Sequence, residues 1–427
     1  MKKLSFLIST LLLSSTSVWA FNLSDAWQAA HEHSAELKQA QYQFAANQQQ
    51  KPIARAALLP QVSISASHQR QNQFEPRKIT KDSSSWKVSA SQTIFNLNKW
   101  RKYQQSKIIV DAAGKQLDLA EQQLLLKVAE AYFNVLVAKE SLLTVQKSKE
   151  SFAAQQTQAE ALFKKGLSTI VDVQEAQAGY ESALADEIEI TSQLVQAYAQ
   201  LETYTGLNPE QIELIHIHDV AQFPSLSSEQ WLEQADANNA EIRLQRLVVL
   251  STEQEMKATK ANRYPTVEMS AGYYTNPNDY QSTDTIQDYE TRANYIGIGI
   301  SLPLFTGGQL RAQSKQASAG YHAAEQELQM TQEKVALSVK ENFAKVRAGK
   351  IRIQALDKLV LTNQTKVKSS KLGNQYGFLS NADRVRSEKE YYDAELKRTQ
   401  AKYQYLMAQL NLMQLAGMFD SQIIRVK

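Results

Sequence analysis

Two short segments carry the residue types best placed to do chemistry. Thr169-x-x-Asp172 and Ser380-x-x-Asp383 each set a hydroxyl three residues ahead of a carboxylate. That spacing fits a capping box: the hydroxyl caps a starting helix and the acid returns to the cap backbone. The same carboxylates could instead face passing ions, and Arg384 and Arg386 next to Asp383 bring the opposite charge. His31-x-His33 and His216-x-His218 have metal-ligand chemistry, but no further donor completes either pair. Gly297-x-Gly299 lacks a third glycine and lies in an alternating run, so it is not a phosphate loop. No Ser/His/Asp triad, paired-carboxylate cleft or nucleotide loop emerges. The chain therefore reads as a non-enzyme with no cofactor and no metal.

The elements that must position these residues are unusually long. Residues 96–165 and 306–376 contain no proline and are rich in Ala, Gln, Leu, Lys and Glu, which lose little on entering a helix. A helix of about 70 residues would run about 100 Å. Each rod ends at a glycine followed by an apolar residue, Gly166-Leu167 and Gly377-Phe378, and helix resumes over 170–205 and 382–417. The pattern fits a C-cap glycine with its hydrophobic contact, or an apolar tip offered to a partner.

Each rod also emerges from a pair of alternating segments. Val62, Ile64 and Ala66 interleave with serines, and so do Val88 and Ala90 after Trp86. Val267, Met269, Ala271 and Tyr273, then Ile296, Ile298, Ile300 and Leu302, repeat the two-residue period of a strand. Strands are expected at about 61–72, 84–95, 266–275 and 291–304, with loops over 72–84 and 276–290. Helices over 21–59 and 227–263 precede them, stopped by Pro60 and Pro265. Trp86, Tyr273, Tyr274 and Tyr295 are strand aromatics that fit an interfacial girdle.

The second half repeats the first. Pro60 and Pro265 are 205 apart, and Phe95 and Phe305 are 210 apart. Gly166, Asp172, Tyr180 and Gly206 meet Gly377, Asp383, Tyr391 and Gly417 at one offset of 211. The expected organisation is a first repeat over 21–206, a connector over 207–226, a second repeat over 227–417 and a tail over 418–427.

Residues 1–20 read as a secretory signal peptide: Lys2 and Lys3, an apolar run from Leu4 to Leu13, and a small residue at Ala20. Removing them takes the formal charge from +3 to 3 − 2 = +1, which gives no electrostatic case for nucleic acid. There are no cysteines, so disulfides, thiolate chemistry and a lipidated N-terminal Cys are all excluded. Mean hydropathy is −0.43, and no apolar run after Ala20 is long enough for a helical span. Only a β-barrel could place this chain in a bilayer.

Four strands cannot close such a barrel, since bacterial ones have about eight or more. Copies must combine, and three would supply twelve strands. The rods carry a narrow apolar stripe (Leu119, Leu126, Phe133, Leu136, Leu143), so a ring of them could enclose water. The alternative is a non-channel periplasmic or surface coiled-coil structural protein with a dry centre. That reading leaves the bilayer-length strands unexplained.

The duplicated plan, the segment from Lys165 to Gln174, the Phe305-Thr306-Gly307-Gly308 exit and the Leu412–Gly417 ending resemble the TolC-type outer-membrane efflux proteins, over essentially the whole mature length. The resemblance implies a mainly α fold with membrane β: a homotrimeric 12-stranded barrel continuous with a 12-helix periplasmic α-barrel and an equatorial belt. It implies a passive exit duct for tripartite efflux, type I protein secretion or both. Implied partners are a periplasmic adaptor and an inner-membrane RND, ABC or MFS transporter. It places Asp383 at the periplasmic constriction, Asp172 among the contacts that hold it shut, and Gly166, Leu167, Gly377 and Phe378 at adaptor-docking turns. The chain departs from the family pattern in having Arg386 where a second acid is usual, and Asn374 and Leu379 where Tyr and Arg gate partners are usual. If Arg384 and Arg386 both line the mouth, they neutralise the Asp383 ring.

Overall fold

A computed structural model of the chain describes residues 21–74, 76, 79–213, 223–282 and 285–418. The expected signal segment, residues 214–222 of the 207–226 connector with His216 and His218, and the tail beyond Met418 lie outside these residues. Two copies of one plan follow each other. The first is α1 (Leu23–His33), α2 (Ala35–Gln48), α3 (Gln50–Ala56), β1 (Gln61–Gln73), β2 (Ile79–Phe95), α4 (Leu97–Lys164) and α5 (Ile170–Thr205). The second is α6 (Ser228–Asn238), α7 (Ala240–Ala261), β3 (Thr266–Ser282), β4 (Thr285–Ser301), α8 (Gln309–Gln375) and α9 (Asn381–Leu415).

The rods span 68 residues in α4 and 67 in α8, about 100 Å each. Asn96 starts α4 by accepting a hydrogen bond from the Lys99 N–H at 3.0 Å. The leading helices are not continuous as the sequence had implied. Ser34 and Asn239 leave helical geometry (ψ 119° and 130°), and each side chain recaps the next helix at the N–H of Leu37 or Ile242. Their separation of 205 equals that of Pro60 and Pro265, so the break belongs to the repeat.

The strands form one antiparallel sheet in the order β1-β2-β3-β4, so β1 and β4 are open edges. They are longer than expected, and the two loops are shorter. β3 and β4 remain paired from Thr266↔Ser301 to Ser282↔Thr285, beyond the last β2–β3 pair at Trp86↔Thr275. Backbone pairing persists where side-chain alternation has ended. Pro277 is tolerated there because β3 has lost its β2 neighbour and one side needs no N–H donor.

The helices below keep the strand order: α3 lies against α4, α4 against α7, and α7 against α8. α5 folds back along α4, and α9 along α8. The core is concentrated midway along the rods, far from both the sheet and the turns. There Val128, Tyr132, Val135 and Leu136 of α4 pack with Leu201, Trp231, Leu406 and Leu412. Full burial of such side chains stabilises by about 1.5–3 kcal/mol each. Tyr132 donates to the Glu213 carbonyl at 2.7 Å, and Phe21 bridges Ile212 in parallel, so the segment before α1 and the connector join this central layer. Burial raises the Tyr132 hydroxyl above its ordinary range. Among the described residues no helix is long and apolar enough to cross a membrane.

Candidate gate turns and membrane-facing sheet

Both turns are built from one design. α4 ends at Gly166, with φ 71°, where the Leu167 N–H donates to Leu162 O at 2.9 Å and the Gly166 N–H to Phe163 O at 2.9 Å. α8 ends at Gly377, with φ 76°, where Phe378 N–H reaches Gly373 O at 2.8 Å and Gly377 N–H reaches Asn374 O at 3.1 Å. These paired bonds satisfy carbonyls that a helix end leaves free, and the left-handed residue they need is glycine. Such a turn ordinarily tucks its following apolar residue against the side chain five before it. Phe378 has only Gly373 there, and Leu379 covers that glycine instead. Phe378 is left 83% exposed and Leu167 72% exposed. The C-cap accounts for the glycines but not for two uncovered apolar side chains.

The next helices start with full capping boxes. The Asp172 N–H donates to Thr169 Oγ1 at 3.2 Å, and Asp172 Oδ2 accepts from the Thr169 N–H at 2.9 Å and from Ser168 Oγ at 2.8 Å. Ser380 and Asp383 repeat this, with the Asp383 N–H donating to Ser380 Oγ at 3.1 Å and Ser380 Oγ donating back at 2.7 Å. Backbone and hydroxyl donors from Thr169, then Ser168, hold the Asp172 carboxyl below the usual range. The Ser380 hydroxyl and N–H do the same for Asp383, aided by Arg386 and Lys366. Both remain anionic at neutral pH.

The two arginines separate. Arg386 is exposed, with its guanidinium 4.0 Å from Asp383. Arg384 turns inward, donates to Gln158 at 2.9 Å and lies 3.5 Å from Glu388. Within one chain, Arg384 is thus taken up by α4 and its own helix, and Arg386 is the arginine that faces Asp383. Asn374 Nδ2 closes its own turn on Leu379 O at 3.2 Å, and Asn381 Nδ2 donates to Asp172 O at 3.3 Å, linking the two turns.

Sequence reasoning missed Glu388. Its buried carboxylate accepts from Ser151 Oγ and from Gln155 Nε2 at 2.7 Å, and faces Lys371 at 3.4 Å. It therefore joins α4, α8 and α9 two turns below the Ser380 cap. The Arg384-x-x-x-Glu388 spacing was the available signal.

In the sheet, register sorts the side chains. Val62, Ala90, Ala271 and Ile296 lie in one row, and Ile64, Val88 and Tyr273 in the next. These rows, with Trp86, Ile298 and Ile300, make an apolar face. Ser63, Ser89, Gly272 and Tyr295 share the opposite, polar face, as do Ser65, Lys87 and Tyr274. Trp86 and Tyr273 pack on the apolar face, ring centres 5.3 Å apart. Tyr274 and Tyr295 are neighbours on the polar face, where Lys87 lies 5.5 Å over Tyr295 and the Tyr295 ring covers Gly272. The four aromatics expected in one girdle do not share a face: Trp86 and Tyr273 lie on the apolar one and Tyr274 and Tyr295 on the other, because adjacent strand residues point to opposite faces. His31 lies edge-on to Trp27, and His33 packs over Gly206.

The family described as "Outer membrane efflux protein" matches residues 26–207 and again residues 231–418, one match for each repeat. The chain is 27% identical to the outer membrane protein TolC of Vibrio cholerae, covering 99% of this chain and 97% of that one. It is 26% identical to the proteases secretion protein PrtF of Dickeya chrysanthemi, with 99% and 93% covered. Among solved structures, the outer membrane protein VceC of Vibrio cholerae aligns with TM-score 0.79 at 20% identity, over 92% of this chain and 96% of that one. CusC aligns with TM-score 0.80 at 17% identity, over 93% and 92%. With the duplicated rods, the sheet and both halves of the profile in agreement, this chain belongs to the outer membrane efflux protein family.

Proposed function

We propose that the chain is a passive exit duct through the outer membrane, serving efflux, type I protein secretion or both. One observation carries the reading: a four-stranded sheet with two open edges and an uncovered apolar face continues directly into rods of about 100 Å. An open edge is not tolerated in lipid. Three copies joined β4 to β1 close twelve strands, with Ile64, Ile298 and Ile300 toward lipid and the serine and glycine face toward water. Trp86 and Tyr273 then serve as interfacial anchors. The rods, set side by side, carry the water-filled bore across the periplasm. A protease-secretion relative favours type I export as one use, and the chain's energy source is a partner transporter of the RND, ABC or MFS kind.

In this assembly Asp383 and Arg386 stand at the periplasmic mouth. Asp172, Asn381, Arg384 and Glu388 hold the second helix pair against the first. Leu167 and Phe378, presented by Gly166 and Gly377, are the docking tips for a periplasmic adaptor. The coiled-coil alternative leaves the apolar sheet face without a function. The test is the purified outer-membrane protein: a heat-dissociable trimer that conducts in planar bilayers is expected. A monomer without conductance would overturn the duct.

A further inference from the structure

The level where helices meet sheet has an uneven charge. Residues 49–60, 97–110, 254–264 and 302–318 flank the sheet ends and hold eleven Lys and Arg against one acid, Glu255. That acid is already paired with Lys102. Residues 21–427 as a whole carry +1, so this collar of 11 − 1 = +10 is set against 1 − 10 = −9 over the rest.

Within this collar a groove of about 770 Å³ opens between the end of α7 and the start of α8. Lys260, Arg263, Arg311 and Lys315 line it with no acid among the lining residues. None of the four forms an ion pair among the described residues; Lys260 reaches only the Met256 sulfur, at 3.5 Å. The groove also contains the start of α8, where no side chain caps Gly308 and Thr306 Oγ1 approaches the Leu310 N–H only at 3.5 Å. A long helix presents partial positive charge at such an end. An independent feature points the same way. Ser314 lines the groove, is 7% exposed, and its hydroxyl has no hydrogen-bond partner. A buried hydroxyl without a partner is costly, and a rotation about χ1 that turns this oxygen into the groove would let a ligand supply one.

The surroundings select the ligand. Above the groove the apolar face of β4 runs through Ile296, Ile298 and Ile300, and exposed apolar residues continue at Leu304 (90%) and Phe305 (89%). An acyl chain along this ridge would bring its phosphate to the four cations. A second copy would not satisfy them: α3, beside the open β1 edge, carries Lys51 and Arg55 and no acid.

We propose that this groove binds the phosphate of an anionic phospholipid in the periplasm-facing leaflet, held by Lys260, Arg263, Arg311 and Lys315 with the Ser314 hydroxyl as a further donor. The lipid identity rests on the duct reading, in which the sheet stands in the bilayer; the anion chemistry does not. Cations near an anionic headgroup act in concert, and removing two should weaken retention about tenfold or more.

The test uses full-length protein in detergent with phosphatidylglycerol and phosphatidylcholine, bound lipid being read by native mass spectrometry. Wild type is expected to retain phosphatidylglycerol preferentially. Arg311→Gln with Lys315→Gln should cut retention about tenfold, and Ser314→Ala about threefold. Lys51→Gln with Arg55→Gln, equal charge outside the groove, should stay within about twofold. Arg311→Lys with Lys315→Arg should retain lipid, which separates charge from misfolding. Equal losses in both charge-removing doubles would show a diffuse field and overturn the pocket. Inorganic phosphate binding that needs Arg311 and Lys315, without lipid retention, would place the source in solution and overturn the headgroup. Planar-bilayer conductance on the same samples keeps the two readings apart. A conducting protein that retains no lipid overturns the groove alone, and a non-conducting one overturns the duct.

Discussion

Replacing Glu388 by alanine should open the periplasmic tip. The carboxylate is the single acceptor shared by Ser151 and Gln155 of α4, and it lies 3.4 Å from Lys371 and 3.5 Å from Arg384. A hydrogen bond to a charged acceptor contributes about 1.5–3 kcal/mol, and two are lost. Burying a carboxylate costs several kcal/mol, which offsets much of this gain. The half-exposed Lys371 adds little, because water screens it. The net loss of adhesion between α9 and α4 is about 2–3 kcal/mol. α9 stays joined to α8 through Lys366–Glu390 at 2.6 Å and Ser370–Ser387 at 2.6 Å, so the second helix pair should swing away as a unit. In a closed channel that energy corresponds to a rise of about 30- to 150-fold in open fraction. Single-channel recording of Glu388→Ala reads it directly, with Glu388→Gln, which keeps one acceptor, expected between the two. A folded Glu388→Ala channel whose open fraction stays within about twofold of wild type would refute the latch.

Three further outcomes follow from the geometry. Leu167→Asp with Phe378→Asp should leave assembly intact, because neither side chain is covered, yet abolish drug efflux in cells; full resistance in the double variant would remove both tips from adaptor docking. Ser380 bonds hold the Asp383 carboxyl low, so the ionised form stabilises the start of α9. That stability is present above the ordinary carboxylate range near pH 4 and is lost as pH falls through the lowered folded value. Ser380→Ala should therefore move acid loosening of the first turn of α9 to higher pH, read as amide protection of residues 383–386; an unmoved midpoint would refute the coupling. In the sheet, Ile298→Lys should cost about 2–4 kcal/mol of insertion while Gly299→Lys is tolerated, since the two residues lie on opposite sheet faces, which the proposed duct turns to lipid and to water. Equal membrane yields of the two variants would contradict the facing.

What could be read from the sequence follows from how local each determinant is. Gly166 and Gly377 were legible because only glycine takes φ near 70° cheaply, and the acids six residues later were legible because a capping box is a fixed local spacing. The apolar half of each strand was legible through its period of two. The polar halves were not, because 276–282 pairs with 285–291 through backbone bonds that no side-chain pattern announces. Tyr273 and Tyr274 were placed together although consecutive strand residues cannot share a face; the period that found the strands already separated them. Ser34 and Asn239 were passed over because each is unremarkable alone and informative only at the repeat offset. Glu388 marks the harder limit. A glutamate in a long polar helix reads as solvated, and what makes it a latch is Ser151 and Gln155, more than 230 positions away on another rod. The closing network thus depends on how the two repeats lie against each other, while each repeat's own elements depend on neighbours a few residues apart. For this reason the plan of each repeat can be shared with relatives of 26–27% identity, since it asks only for short-range spacings.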